Sequence, residues 1–312
     1  MTGPRRCRKG RRGPRAGAAP MDAGERSPVS DAPRPESEPR MRRLLALLLV
    51  GLAQVARAEE AAPPVRADPV APEAPARQPY LAPGALDTIA VLAPPPQAGT
   101  EAEAADRLTF ARTRALKGTP RWALATADVA GGARALLADF SCALGTSLDS
   151  TQLPVTTALL ERARLDVAAA VEAPKEHYRR TRPHVGNGLP VCVARSERLA
   201  RSASYPSGHA TEGWTFALIL ASAAPAQATG ILRRGRIYGE SRLVCGVHWR
   251  SDVEAGRTAG AALYAALVAS APFRADLDRA RAELAAVLAR PAQPPEEATC
   301  AREAGAAAEP LP

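Results

Sequence analysis

The stretch at residues 204–209, SYPSGH, combines residue types that can bind an anion and transfer a proton. Pro206 fixes its own φ and Ser207 is a favourable N-cap residue ahead of an apolar run, which together predict a turn that opens a helix. The start of a helix offers unpaired N–H groups and a partial positive charge, and Gly208 lets the backbone approach a ligand closely. His209 stands at the same point and can carry a proton. A capped helix with a surface histidine is the alternative for this stretch alone.

Two cations upstream have a spacing that suits the same anion. Lys175 and Arg182 are seven residues apart, which is two helical turns, so both are expected on one helix face. Pro183 is expected to end that helix, and Pro174 to interrupt the preceding apolar pattern and open it as a short separate element. Two cations on one face form either a solvated surface or an anion site.

A third group, downstream, adds another cation and a histidine–carboxylate pair. Ser241 and Arg242 are followed by His248 and then, four residues on, by Asp252. This spacing allows a hydrogen bond if a helix begins there. A carboxylate bonded to one ring nitrogen fixes the tautomer and leaves the other nitrogen free as a base or a nucleophile. Alone, such a pair is weak evidence for a site.

Taken together, the three groups match the pattern Lys-x6-Arg-Pro, Pro-Ser-Gly-His and Ser-Arg-x5-His-x3-Asp at every position. In these motifs the sequence resembles the phosphatidic-acid-phosphatase type 2 / vanadium haloperoxidase superfamily. Over residues 80–290 it looks most like the class A bacterial non-specific acid phosphatases, as shown by LAPPP at 92–96, KEHY at 175–178, SYPSGH, and SRLVCGVHW at 241–249. Two positions depart from that pattern. His184 replaces a more usual aromatic and bears on substrate preference, and Ala203 replaces a more usual glycine.

The resemblance implies an all-α fold, a single helical bundle, and hydrolysis of phosphate monoesters with broad specificity. It implies His248 as a nucleophile that forms a phosphohistidine, Asp252 as its orienting carboxylate, and His209 as the acid for the leaving oxygen. The other site residues are expected to bind the phosphate: Lys175, Arg182, Ser207, Gly208 and Arg242. Because phosphoryl transfer spreads negative charge over the equatorial oxygens, three cations and a helix end can stabilise it without a metal or another cofactor. The fourth histidine, His177, is interpreted as structural or supporting.

Three other functions are compatible with these residues. The same cage would hold vanadate in a haloperoxidase, with His248 as the metal ligand, although the flanking stretches favour the phosphatases. A membrane lipid phosphatase is built from spanning helices, and the most apolar downstream run, residues 214–224, is too short to span. A secreted anion-binding protein without activity would be marked by the loss of His209 or His248, and both are present.

The elements that position these residues are predicted to be helices. Apolar residues recur at three- and four-residue spacing, and no stretch alternates like a strand over any length. The polar connection at residues 183–206 is long enough to suggest a functional loop. The predicted helices cover residues 101–116, 120–144, 154–172, 208–223, 226–244, 251–270 and 274–288.

Residues 41–58 have the pattern of a secretory signal peptide, with a basic start, an apolar run and a small-x-small end at 56–58. Cleavage is expected before Glu59, which predicts a periplasmic or secreted protein. Since signal peptides seldom carry a 40-residue basic prefix, residues 1–40 are interpreted as preceding the true start at Met41, with a disordered extension as the alternative. The rest divides into a disordered linker at 59–79, a phosphatase domain at 80–290 and a flexible tail at 291–312.

The net charge of +9 does not indicate a nucleic-acid partner. Residues 1–58 hold 13 of the 41 Lys and Arg and 5 of the 32 Asp and Glu, which leaves 28 basic and 27 acidic residues and a charge of +1 downstream. The expected partners are therefore small phosphorylated substrates, with no nucleic-acid polymer and no membrane span in the mature chain. The oligomeric state stays open, a homo-oligomer included.

Four of the five cysteines lie after the signal peptide, namely Cys142, Cys192, Cys245 and Cys300. An even number in an exported chain fits one or two disulfides, and free buried thiols are the alternative. Three complete pairings exist and the sequence does not choose among them. The cysteines show no metal-binding spacing.

Overall fold

The structure is a computed structural model that describes residues 78–309 and 311. The predicted prefix, the predicted signal peptide and nearly all of the predicted linker lie outside these residues. The described part of the chain is helical and contains no strand, so the predicted all-α class is confirmed. Its α-helices are α1 (Thr88–Val91), α2 (Glu101–Thr113), α3 (Pro120–Ala127), α4 (Ala133–Asp139), α5 (Ser141–Leu144), α6 (Pro154–Tyr178), α7 (Glu197–Arg201), α8 (Gly208–Ala223), α9 (Ala228–Val244), α10 (Arg250–Leu267), α11 (Ala271–Leu288) and α12 (Glu297–Ala308).

Helix α8 lies at the centre of the bundle. It packs mainly against α9 and α10, and it also contacts α6 and α11. Its Phe216, Ile219 and Leu220 side chains are completely buried. Each such side chain contributes about 1.5–3 kcal/mol to stability by leaving water. Among residues 78–309, no helix combines the length and the apolar character needed to cross a membrane.

Small residues on α10 let it approach the start of α8. A Cβ atom added at Gly256 would lie 2.7 Å from the carbonyl oxygen of Ser207, and one added at Gly260 would lie 2.9 Å from that of Thr211. The backbone N–H of Ser207 donates to the carbonyl of Asp252 at 2.9 Å. Ser207 also caps α8, with its side chain accepting from the N–H of Ala210 at 3.3 Å, as predicted. The first turns of α8 and α10 are therefore held together.

The prediction of a single helix over residues 120–144 is wrong, because the segment forms three short helices, α3, α4 and α5. Asp128 ends α3, and Gly132, with a φ of 92°, precedes α4. A residue with a side chain rarely adopts that φ, and it does not continue a helix. The apolar spacing persists across the break, so periodicity alone did not detect the loop at residues 128–132.

Helix α6 continues through Pro174 to Tyr178, so the predicted separate short helix is absent. Proline has no N–H to donate to the carbonyl four residues earlier. That carbonyl, of Ala170, instead accepts a hydrogen bond from the Thr88 hydroxyl at 2.7 Å. The helix ends where Arg179 takes a φ of 44°. Arg182 consequently lies in the following loop and does not share a helix face with Lys175.

The end of the chain differs from the predicted flexible tail, since residues 297–308 form α12. A disulfide joins Cys300 of α12 to Cys142 of α5, with the Cα atoms 5.4 Å apart. The second disulfide joins Cys192 to Cys245, with the Cα atoms 4.7 Å apart. The structure thus selects one of the three pairings that the sequence left open.

Candidate active site

Three segments that are distant in sequence meet at one end of α8. The end of α6 and the loop after it bring Lys175 and Arg182, and α8 brings its first residues. The last turn of α9 brings Arg242, and the α9–α10 connection brings His248. Lys175 Nζ donates to the carbonyl of Ala203 at 2.7 Å, and Arg182 Nη2 donates to the same carbonyl at 3.3 Å. The predicted cations therefore share one site, although a loop rather than a common helix positions them.

One guanidinium nitrogen of Arg182 forms a hydrogen bond with a ring nitrogen of His248. Arg182 Nη1 lies 2.9 Å from His248 Nε2 and 2.9 Å from the carbonyl oxygen of Val247. A guanidinium group can only donate hydrogen bonds. His248 Nε2 therefore carries a lone pair, the ring proton is on Nδ1, and the lone pair is directed toward the cations.

Asp252 lies on the other side of the His248 ring and is completely buried. Its Oδ2 is 3.4 Å from His248 Nδ1 and accepts the backbone N–H of Trp249 at 2.8 Å. The Ser204 hydroxyl donates to the same oxygen. The predicted pair is thus present as a long contact, because α10 begins only at Arg250 and Oδ2 serves three donors.

Arg242 is the most enclosed of the three cations. Its side chain is only 4% exposed, and within the described residues its Nε and Nη1 atoms are buried without a hydrogen-bond partner. A buried charge without partners is costly, and an anion placed against it would relieve that cost. Burial lowers its pKa, and its charge in turn lowers the pKa of His209 and of His248.

The pKa of His248 is held well below its usual value of 6.5, first by burial and then by the charges of Arg182, Lys175 and Arg242. The imidazole is therefore neutral at mildly acid pH, as a nucleophile must be. Burial and the charge of Arg182 also lower the pKa of Lys175 to about 8, so this ammonium group is still protonated below neutral pH.

His209 has a different set of contacts. Its Nε2 lies 3.1 Å from the carbonyl oxygen of Val129, and its ring stacks on Tyr238 with the centroids 6.0 Å apart. Burial, followed by the charge of Arg242, lowers its pKa to about 3, while the Val129 carbonyl raises it. Because a carbonyl can only accept, Nε2 carries a proton and Nδ1 is the nitrogen that gains or loses one.

Comparison with known proteins identifies the family of the chain. Residues 156–276, which contain all three groups, match the PAP2 superfamily. The chain is 45% identical over 199 residues to an acid phosphatase of Zymomonas mobilis subsp. mobilis, covering 64% of this chain and 75% of that protein. Non-specific acid phosphatases of Providencia stuartii and Salmonella typhimurium are 34% and 35% identical, over 64% and 62% of this chain and 82% and 78% of theirs. The chain belongs to the acid phosphatase family of the PAP2 superfamily.

Several residues that support the site of this acid phosphatase were not predicted from the sequence. Arg180 donates to Asp252 Oδ1 at 2.6 Å and to Asp106 Oδ2 at 2.7 Å, which ties α10 to α2. Ser204 belongs to the stretch singled out above, but its contact with Asp252 was not expected. No spacing rule marks Arg180, which lies between Lys175 and Arg182 among several basic residues.

The two remaining histidines of the acid phosphatase lie in contrasting environments. His177 is exposed and contacts the ring of Tyr178. His184 is 2% exposed, and neither of its ring nitrogens has a hydrogen-bond partner among residues 78–309. Burial lowers its pKa, and Arg195 and Arg182 lower it further. The same described residues contain no cluster of three or more His, Cys, Asp or Glu side chains suited to a metal ion.

Proposed function

We propose that the protein hydrolyses phosphate monoesters of broad structure through a phosphohistidine on His248, without a metal ion. Two observations carry the proposal together. The Nε and Nη1 atoms of Arg242 are buried without a hydrogen-bond partner in the described structure, and the neutral His248 ring directs its lone pair toward Arg182. A phosphoryl group would satisfy both, because it offers oxygens to the cations and an electrophilic phosphorus to the nitrogen.

In the first step, His248 Nε2 attacks phosphorus and the bond from phosphorus to the ester oxygen breaks. His209 Nδ1 transfers a proton to that oxygen, so the product leaves as a neutral alcohol. Arg182, Arg242 and Lys175 stabilise the equatorial oxygens, together with the N–H groups at the start of α8. Asp252 stabilises the positive charge that develops on the His248 ring.

In the second step, water attacks the phosphohistidine from the side that the alcohol has left. His209, now neutral, accepts a proton from the water, the P–N bond breaks and inorganic phosphate is released. The two steps return both histidines to their starting protonation states. Neither step needs charge from a metal ion, since three guanidinium or ammonium groups surround the phosphoryl group.

The protonation state of His209 links the mechanism to acid pH. Its pKa of about 3 reflects burial beside cations. A bound phosphate ester brings negative charge against the same cations, which raises the pKa of His209 and lets it hold the proton that it donates. We therefore expect the highest turnover at acid to near-neutral pH, where His209 is protonated in the complex and His248 is neutral.

We also propose that the protein works outside the cytoplasm, in the periplasm or as a secreted enzyme. The support is the signal-peptide pattern at residues 41–58 together with the two disulfides, which persist in oxidising compartments. N-terminal sequencing of the exported protein should find a start at or near Glu59. A chain that keeps residues 1–58, or that sediments with membranes, would contradict this part of the proposal.

The activity is tested by a phosphate-release panel in EDTA with nucleotides, sugar phosphates, a phosphatidate and an aryl phosphate. We expect release from several of the soluble esters and inhibition by vanadate, which adopts the trigonal-bipyramidal geometry of the transition state. Loss of activity on chelation with recovery on adding Zn²⁺ or Mg²⁺ would refute metal independence. Release from phosphatidate alone would indicate a lipid phosphatase, and vanadate-dependent bromide oxidation would indicate a haloperoxidase.

A further inference from the structure

The loop after α3 contacts the proposed acid through its backbone. The carbonyl oxygen of Val129 lies 3.1 Å from His209 Nε2, and the next carbonyl, of Ala130, accepts from the Tyr238 hydroxyl at 3.0 Å. The rings of His209 and Tyr238 stack with an interplanar angle of 17°. Two successive carbonyl oxygens of the loop therefore accept hydrogen bonds from the two stacked rings. The position of the loop consequently sets the orientation of the His209 ring.

One carboxylate, that of Asp128, anchors the loop. It is completely buried and directly precedes Val129. Its Oδ1 accepts from Arg234 Nη2 at 2.6 Å, and its Oδ2 accepts from the Ser241 hydroxyl at 2.5 Å. Arg234 and Ser241 both belong to α9, the helix that also carries Tyr238. Asp128 thus fastens the loop to the same helix against which the His209 ring stacks.

The anchored carbonyl determines the tautomer of His209. With the Val129 carbonyl in place, Nε2 is the protonated nitrogen and Nδ1 is the one that exchanges a proton with the substrate. If the loop moved away from α9, Nε2 would lose its acceptor, and both the tautomer and the ring orientation would become mixed.

We propose that Asp128 is a positioning residue for His209, acting through the Val129 carbonyl; the inference rests on the proposed role of His209 as the acid. Asp128 and Arg234 belong to none of the three motif groups, whereas Ser241, the other partner of Asp128, belongs to the third. Loss of the anchor should therefore weaken protonation of the leaving group more than it weakens phosphate binding, while His248 keeps its contacts with Arg182 and Asp252.

The test compares kcat/KM for an alkyl ester, glycerol 2-phosphate, with that for an activated aryl ester, p-nitrophenyl phosphate. This parameter covers the steps up to departure of the leaving group, so slow hydrolysis of the phosphohistidine does not mask it. Departure of an alkoxide depends far more on protonation of the leaving oxygen than departure of an aryl oxide does. For Asp128→Asn we expect kcat/KM to fall by roughly tenfold or more for the alkyl ester and by less than about threefold for the aryl ester. The loss on the alkyl ester is a part of the 10²–10⁴-fold that a general acid contributes.

Glu303→Gln is the matched control. Glu303 of α12 accepts from Arg234 Nε at 2.9 Å and is also buried, so this variant removes a carboxylate from the same guanidinium without touching the loop. We expect it to reduce thermal stability and to leave the alkyl-to-aryl ratio unchanged. An equal fall of kcat/KM for both esters in Asp128→Asn, or a changed alkyl-to-aryl ratio in Glu303→Gln, would overturn the proposal.

His209→Ala separates the proposal from its premise. If His209→Ala shows the leaving-group dependence and Asp128→Asn does not, the inference fails while the acid role of His209 stands. If His209→Ala itself lacks the dependence, the assigned acid is wrong. In the double variant, Asp128→Asn should add no further change to the ratio, because its effect on the ratio depends on His209.

Tyr238→Phe provides a milder variant in case Asp128→Asn does not fold. It keeps the stacked ring and removes only the hydrogen bond to Ala130, so we expect a smaller change of the ratio in the same direction. Ring ¹⁵N chemical shifts add a direct measurement. The wild type should show His209 protonated on Nε2, and the variants should show a mixture of tautomers; an unchanged tautomer together with an unchanged ratio in Tyr238→Phe would overturn the proposal.

Discussion

Arg182 Nη1 and His248 Nε2 are 2.9 Å apart, and the direction of this hydrogen bond defines the chemistry of the ring. Because the guanidinium is the donor, the nitrogen facing the cation cage has a free electron pair. The proton stays on Nδ1, on the side of Asp252. The geometry of two side chains therefore selects the nitrogen that would attack phosphorus, and it distinguishes His248 from His209, whose Nε2 donates to a carbonyl.

His248→Ala should abolish turnover and also the covalent intermediate, because it removes the proposed nucleophile. His209→Ala should still form the intermediate with an aryl phosphate, since that leaving group needs little protonation. Rapid quench into alkaline detergent with radiolabelled substrate measures both, because the P–N bond of a phosphohistidine survives alkali. His177→Ala, at an exposed position outside the cage, is the control that should behave as the wild type. Phosphate trapped on protein in His248→Ala but not in His209→Ala would reverse the two roles.

Arg180 should matter for catalysis although it does not line the cage. It donates to Asp252 at 2.6 Å, and its charge lowers the pKa of that buried carboxyl, which burial raises. In Arg180→Met the pKa of Asp252 should rise, so the carboxylate is lost at higher pH and the acid limb of kcat should shift upward. We expect kcat to fall by about tenfold or more, by analogy with other supporting contacts to catalytic groups.

Arg180→Lys keeps the charge and should recover part of that activity, with the acid limb nearer to that of the wild type. Arg250→Met is the matched control, because Arg250 pairs with Glu254 on the exposed side of α10. A pH profile for Arg180→Met that falls uniformly, with no displacement of its acid limb, would show that Arg180 serves only stability.

His209 should make the protein less stable as the pH falls. Its pKa is about 3 in the folded chain against about 6.5 in an unfolded one, so below pH 6.5 the unfolded state binds a proton that the folded state does not. Between pH 8 and pH 5 this costs about 2 kcal/mol of the free energy of unfolding. Asp139, with a pKa raised to about 7, acts in the opposite direction, so the effect must be isolated by a difference.

The difference is taken between the wild type and His209→Asn, with the free energy of unfolding measured in denaturant at pH 5 and at pH 8. The free energy of unfolding of His209→Asn, taken relative to that of the wild type, should be about 2 kcal/mol higher at pH 5 than at pH 8. His177→Asn should show no such gain. An equal pH dependence in the wild type and in His209→Asn would mean that His209 titrates normally in the folded protein.

Gly256→Ala should reduce activity by separating α10 from the start of α8. The added Cβ would lie 2.7 Å from the Ser207 carbonyl oxygen and 2.9 Å from Ala210 Cβ, so the backbone must shift where the phosphate is expected to bind. We expect KM for p-nitrophenyl phosphate to rise. The free energy of unfolding should fall by about 1–3 kcal/mol, as in other overpacked sites.

Gly305→Ala makes the same change in α12, where a Cβ would meet nothing within 4 Å. It should be neutral or stabilising by up to about 1 kcal/mol, since alanine favours a helix over glycine. A loss in Gly305→Ala as large as that in Gly256→Ala would show that the effect does not depend on the contact with Ser207.

The amino-acid sequence by itself determined the features that depend on neighbours along the chain. The N-cap of α8 at Ser207 follows from residue type and position, and α8, α9, α10 and α11 follow from apolar spacing. The fixed spacings of the three motif groups were enough to identify the family. Each of these signals acts over one or two helical turns, so it is visible in one dimension.

Only the tertiary structure decided how buried polar groups find partners. The carbonyl that Pro174 leaves free accepts from Thr88, 82 residues before it, and therefore α6 continues past the proline to Tyr178. Asp252 is held by Arg180, 72 residues away, and Asp128 by Arg234, 106 residues away. A buried donor or acceptor must be satisfied by whichever group the fold brings to it, and no local pattern specifies that group.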